Sequence, residues 1–113
     1  MKSKYLNVKA EFEGITFDSK KELKKYQEYR ELEKKGEIKD LKRQVEFVLV
    51  DKFKLNGKTY RKTSYLADFT YVSTKDDKLH VIDVKSPYTR KNPVYRLKKK
   101  LMAEKYQIII EEV

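Results

Sequence analysis

The chain has 113 residues, 39% hydrophobic and 41% charged, with nine Tyr and five Phe; that is enough apolar area for one modest core and too little chain for two. With no Cys and a single His, His80, disulfides, disulfide-linked partners and thiolate or zinc-type sites are excluded, so a metal would be held by oxygen. A net charge of +10 points to a polyanionic partner, nucleic acid first, because a basic surface attracts phosphate and releases its counterions.

In chain order, "AEFEGITFDS" alternates Phe12, Ile15 and Phe17 around Gly14 and predicts a small hairpin leading into a helix. "SKKE" at 19–22 fits a capping box with Ser19 as N-cap, so a helix is expected from Lys20 to Lys35 with Gly36 at its end. "RQVEFVLVDKF" reads as a strand, "NGK" at 56–58 as a hairpin turn, and "SYLADFTYV" as the returning strand. "KLHVIDVK" is a third strand after the turn "KDDK". Asn92 and Pro93 start a second helix to about Tyr106. "QIIIEEV" closes as a fourth strand whose apolar run predicts two covered faces. The expectation is a single α/β (α+β) domain over 1–113, a mixed sheet with one helix on each face.

The longest apolar run, Phe47 to Val50, falls far short of the roughly 20 residues that span a bilayer, and no apolar signal segment opens the chain. A soluble, cytoplasmic protein without a membrane partner is expected. Residues 85–105 hold eight Lys or Arg against Glu104 alone, and residues 20–43 hold ten basic and six acidic groups. A solvated lysine-rich surface is the plain alternative to a nucleic-acid footprint.

Two carboxylates stand where apolar side chains would be ordinary. Strand alternation puts Tyr65, Ala67, Phe69 and Tyr71 on one face and Leu66, Asp68, Thr70 and Val72 on the other; in the next strand it groups Val81, Asp83 and Lys85. A carboxylate on such a face needs a partner, a metal or solvent. Asp68 and Asp83 lie 15 residues apart across one short turn, so neighbouring antiparallel strands can bring them to one place. On the first helix, at about 100° per residue, Glu22 falls within the apolar arc of Leu23, Tyr26, Tyr29 and Leu32, as does Glu33. The capping box alone also explains Glu22, and a surface Asp–Lys pair also explains Asp83 and Lys85. Three carboxylates and a lysine suit Mg²⁺ or Mn²⁺ and phosphodiester hydrolysis, with Lys85 in an electrostatic role.

"ITFDSKKELKKYQEYRELEKKGEIKDLKRQ", "YLADFTYV", "VIDVKS" and "RLKKKL" together resemble a small phage and prophage family of the PD-(D/E)XK nuclease superfamily, in its Holliday-junction-resolvase-like branch. The resemblance implies a restriction-endonuclease-like core of order αβββαβ and a Mg²⁺-dependent endodeoxyribonuclease acting on branched DNA in a bacterial host. It implies Glu22, Asp68 and Asp83 as metal ligands, Lys85 as the catalytic lysine, and Gln44 touching the site through a water. Ala67 stands where the superfamily has its proline, and Asp83 where resolvases more often have Glu. A resolvase cuts two strands symmetrically, so a twofold dimer is expected.

On the second helix, Val94, Leu97 and Leu101 form the expected packing stripe, with Arg96, Lys99 and Lys100 opposite it facing phosphates. Lys98 falls within the apolar arc, reaching toward the site or snorkelling at the core edge. Lys20, Lys21, Arg90 and Lys91 extend the DNA footprint. A catalytically silent DNA-binding protein on this fold, or a basic RNA-binding or structural phage protein, is the alternative reading.

Overall fold

The computed structural model describes residues 9–86 and 88–113. Strands β1 (Ala10–Phe12) and β2 (Ile15–Phe17) form a hairpin whose turn residues, Glu13 and Gly14, both have positive φ, as the twist of a two-residue hairpin requires. Helix α1 (Lys20–Lys34) follows, and Ser19 Oγ accepts from Glu22 N at 3.1 Å. Only that arm of the capping box forms among the described residues, which leaves the Glu22 side chain to turn inward. The helix ends in a Schellman pair, Gly36 N to Glu33 O and Glu37 N to Leu32 O.

Strand β3 (Ile38–Val50) begins five residues before the expected Arg43. It is followed by a separate ribbon of β4 (Phe53–Leu55) and β5 (Lys58–Tyr60), closed by Asn56 and Gly57 at positive φ. Strands β6 (Thr63–Ser73) and β7 (Leu79–Asp83), helix α2 (Pro93–Tyr106) and β8 (Glu111–Glu112) complete the chain, with a short 3₁₀ turn at Thr89–Lys91 before α2. The central sheet runs β3-β6-β7-β8, antiparallel except for β7 beside β8. The class is therefore mixed α+β, with a central mixed sheet and two helices.

Each helix has its own apolar cluster. Against α1, Tyr26 and Tyr29 pack with Phe17, Ile38, Phe69 and Ile82; against α2, Tyr95 and Met102 pack with Leu49, Tyr65, Ala67, Val81 and Ile110. This division overturns the simple alternation expected in β6. Tyr65 and Ala67 face α2, whereas Phe69 and Tyr71 face α1. The phase changes at Asp68. Across the ladder, Phe47 and Leu49 of β3 also face α2 while Arg43 lies over the Phe17 ring, so β3 changes phase at Gln44, whose φ is 52°. Gln44 and Asp68 sit between the flanking pairs Arg43↔Phe69 and Val45↔Ala67.

Helix α2 is rolled relative to the expected stripe. Tyr95 and Met102 are its buried residues, and Val94 and Leu97 are exposed. The Tyr95 ring carries its hydroxyl to Glu112, a partner that Val94 and Leu97 lack, and Tyr95 and Met102 fill the apolar cluster with Leu101 packed against it. The expected long fourth strand shrinks to two residues. Gln107 caps α2 in the left-handed region, Ile109 is exposed and Ile110 is buried, so the isoleucine run alternates instead of being covered on both faces.

Met102 has no exposed surface and belongs to the buried cluster under α2. Met102→Ala should lower stability by roughly 2–5 kcal/mol, the usual cost of a buried large-to-small change, measured by urea unfolding; a loss below about 1 kcal/mol would show that the site collapses without a cavity.

Candidate carboxylate site at the end of the sheet

The β6–β7 ladder runs from Val72↔Leu79 to Phe69↔Ile82, and the next step would set Asp68 opposite Asp83. The pairing stops there. Instead Asp68 Oδ2 accepts from Val84 N at 2.8 Å, so a side chain replaces the backbone acceptor and the strands separate around two carboxylates. Asp83 is 2% exposed; its Oδ2 accepts from the Tyr65 hydroxyl at 2.5 Å and its Oδ1 lies 3.3 Å from Lys85 Nζ. The ammonium of Lys85 sits 4.5 Å from the centre of the Tyr95 ring, and Tyr95 Oη donates to Glu112 Oε2 at 2.6 Å.

Glu22 arrives from α1 on the other side of the sheet. It is 5% exposed, accepts from Gln44 Nε2 at 3.5 Å, and lies 3.9 Å from the Arg43 guanidinium. Gln44 thus touches Glu22 directly, where a contact through water was expected. Burial raises the Glu22 carboxyl above its usual range, with Asp18 and Asp83 adding to the shift and Arg43 opposing it. Burial likewise pushes Asp68 up to about 7, against the pull of the Val84 N–H and with the charges of Asp83 and Glu22 adding to the rise.

Two depressions flank this point. The larger, about 990 Å³, is lined by Asp18, Lys21, Glu22, Asp68 and Lys85 among others; the smaller, about 360 Å³, by Tyr65, Asp68, Asp83, Lys85, Tyr95 and Lys98. Asp68 and Lys85 belong to both, so the phase change opens the sheet end to each side. Of the four residues reached by helical and strand counting, Asp68 and Lys85 line both depressions, Glu22 only the larger and Asp83 only the smaller. Tyr65, Tyr95, Arg43 and Glu112 were not foreseen, because their roles depend on cross-strand partners and not on their own segment's periodicity.

The basic residues divide. Lys20, Lys91, Arg96 and Lys100 are exposed, and Lys21 Nζ donates to Lys85 O at 3.2 Å. Lys98 is half-buried and lines the smaller depression. Lys99 does not stand opposite the packing face: the roll of α2 brings it to Glu112 Oε2 at 3.0 Å, while Arg90 approaches Glu112 Oε1 at 3.7 Å. These two cations are partly spent on the glutamate that holds Tyr95.

Among the described residues, no group of three or more His, Cys, Asp or Glu side chains is spaced to hold a metal ion as they stand. The donor chemistry fits a hard divalent cation all the same. The acids offer oxygen only, and the Asp68 and Glu22 carboxyls are raised first by burial and then by the other acids beside them. Among the described residues, no helix is long and apolar enough to cross a membrane.

Fold and site together define an α+β protein with a carboxylate-and-lysine cleft at the forked end of a mixed sheet. The chain belongs to the family described as a protein of unknown function (DUF1064), which matches residues 2–112. No curated protein and no solved structure matches it.

Proposed function

We propose that the chain is a metal-dependent DNA endonuclease of the PD-(D/E)XK type, acting on branched, Holliday-junction-like DNA of a phage or prophage. The observation that carries this reading is the pair of depressions that share Asp68 and Lys85, one reaching Glu22 and the other Asp83, in a strongly basic protein. Asp68 and Asp83, with Glu22 behind them, would hold Mg²⁺ or Mn²⁺, which supplies Lewis-acid polarisation of the phosphodiester and a more acidic water. Tyr65 fixes the rotamer of Asp83 through its hydroxyl. Lys85, propped on the Tyr95 ring and beside Asp83, presents a positive charge where the phosphate accumulates negative charge. Arg43 and Gln44 set the orientation of Glu22. Exposed Lys20, Lys91, Arg96 and Lys100 bind phosphates outside the chemistry. A twofold dimer follows from this reading, since symmetric cutting needs two sites.

The test is cleavage of a four-way junction, a linear duplex and a single strand with and without Mg²⁺. Wild type should cut the junction only with metal, and Asp83→Ala should bind DNA without cutting. Identical behaviour of the two proteins with binding retained would favour a silent DNA-binding protein. The present partners of Asp83, the Tyr65 hydroxyl and Lys85, fit that outcome too.

A further inference from the structure

The ribbon β4–β5 serves neither apolar cluster nor the cleft. It forms a two-stranded sheet of its own, and every residue from 50 to 63 is exposed. We propose that this ribbon is a DNA-gripping arm that enters the major groove of a duplex lying across the cleft. It shares its DNA partner with the nuclease reading but stands without any catalytic step.

Charge is the first argument. Residues 51–62 hold Lys52, Lys54, Lys58, Arg61 and Lys62 against Asp51 alone. Among the described residues only Lys62 of these five is tied to an acid, Glu46, at 3.0 Å. Shape is the second. Paired strands lie about 4.8 Å apart, and a two-stranded ribbon fits a major groove about 12 Å wide. Phe53 and Tyr60, which are register partners, stack at 4.7 Å and 9°, and Lys58 Nζ lies 5.3 Å from the Tyr60 ring. With no core beneath it, that stack and the Asn56–Gly57 turn hold the ribbon in form. The exposed side of Phe53, Leu55 and Tyr60, which also carries Lys58, can meet thymine methyl groups, while Lys54 on the opposite side and Lys52 before the strand reach around the ribbon to phosphates at the groove walls.

Position is the third argument. The β7 strand stops at Asp83, whereas β6 and β3 continue past it toward the ribbon. Asp68 lies five positions after Thr63, roughly 17 Å of strand at 3.4 Å per step and the rise of about five base pairs. An arm seated there sets the axial position of a duplex whose backbone crosses the fork.

The experiment is fluorescence anisotropy of a labelled duplex of about 20 base pairs, without metal, across a salt series. The triple variant Lys52→Ala, Lys54→Ala, Lys58→Ala is compared with a charge-matched triple at exposed Lys24, Lys35 and Lys75. The ribbon variant should bind at least about tenfold more weakly near 100 mM salt, its log–log salt slope shallower by roughly 0.9 for each phosphate no longer neutralised, while the charge-matched control weakens by less than about threefold. The proposal is overturned if the ribbon variant keeps wild-type affinity and slope, if the control weakens as much, or if the weakening appears only with single strands, duplex RNA or an acidic polypeptide. Thermal melts confirm that both variants fold. A protein that cuts nothing yet loses duplex affinity through the ribbon keeps this inference and removes the nuclease reading.

Discussion

On the proposed nuclease reading, Lys85→Met should lower Mg²⁺-dependent DNA cleavage roughly 10²–10³-fold, the usual loss when one preorganised charge is removed from a developing anion. Methionine keeps an unbranched side chain and removes the ammonium, which sits 4.5 Å from the centre of the Tyr95 ring and 3.3 Å from Asp83 Oδ1. Metal-free duplex affinity should stay within about threefold, because one cation among many carries little of the polyelectrolyte attraction. Lys85→Arg restores charge without the compact ammonium and should recover part of the rate. Single-turnover cleavage measures all three proteins. An unchanged rate in Lys85→Met, with wild-type thermal stability, removes the electrostatic role.

Asp68→Asn should stabilise the metal-free protein by roughly 1–3 kcal/mol at pH 8 and abolish cleavage. The sign follows from the raised Asp68 carboxyl, held at about 7 by burial and by its acidic neighbours, against 3.8 for an ordinary Asp. Between about pH 4 and pH 7 the folded protein keeps a proton that the unfolded chain releases, so stability falls as pH rises through that window and levels above it. Glu22 acts in the same sense, its carboxyl also raised by burial. Asparagine can still accept from Val84 N but carries no charge. Urea unfolding at several pH values should therefore give a shallower descent for the variant. Parallel curves would mean that the folded protein does not hold the Asp68 carboxyl above its ordinary range. Added Mg²⁺ should raise wild-type stability and leave the variant nearly unmoved, since only a bound ion shifts the folding equilibrium.

The convergence of the four charged residues was legible because each position follows from a local count. Glu22 lies on a helical arc with Tyr26 and Tyr29, and Asp83 and Lys85 share a strand face with Val81. A short turn brings Asp68 next to them. The elements around the site were legible for similar reasons: Ser19, Gly36, Asn92 and Pro93 are strong local signals, and the structure places helix ends at each. What could not be counted is what depends on partners. No Gly or Pro marks the phase change at Gln44 and Asp68, so alternation assigned Tyr65 and Phe69 to one face when they serve different helices. The contact between Tyr65 and Asp83 was invisible for that reason. The roll of α2 turns in Tyr95, whose hydroxyl reaches Glu112, whereas hydropathy alone favours Val94 and Leu97.

The paired phase change has a consequence for how the protein tolerates alteration. The molecule has two interiors on opposite faces of the sheet, to which β7 sends Val81 and Ile82 by ordinary alternation, while β3 and β6 exchange faces at facing positions and so form a transverse seam. Repacking Phe17 on one side and Met102 on the other should act as independent events, their energies adding. Asp68 stands on the seam itself, inside neither interior. The polar chemistry occupies the line along which β3 and β6 change faces.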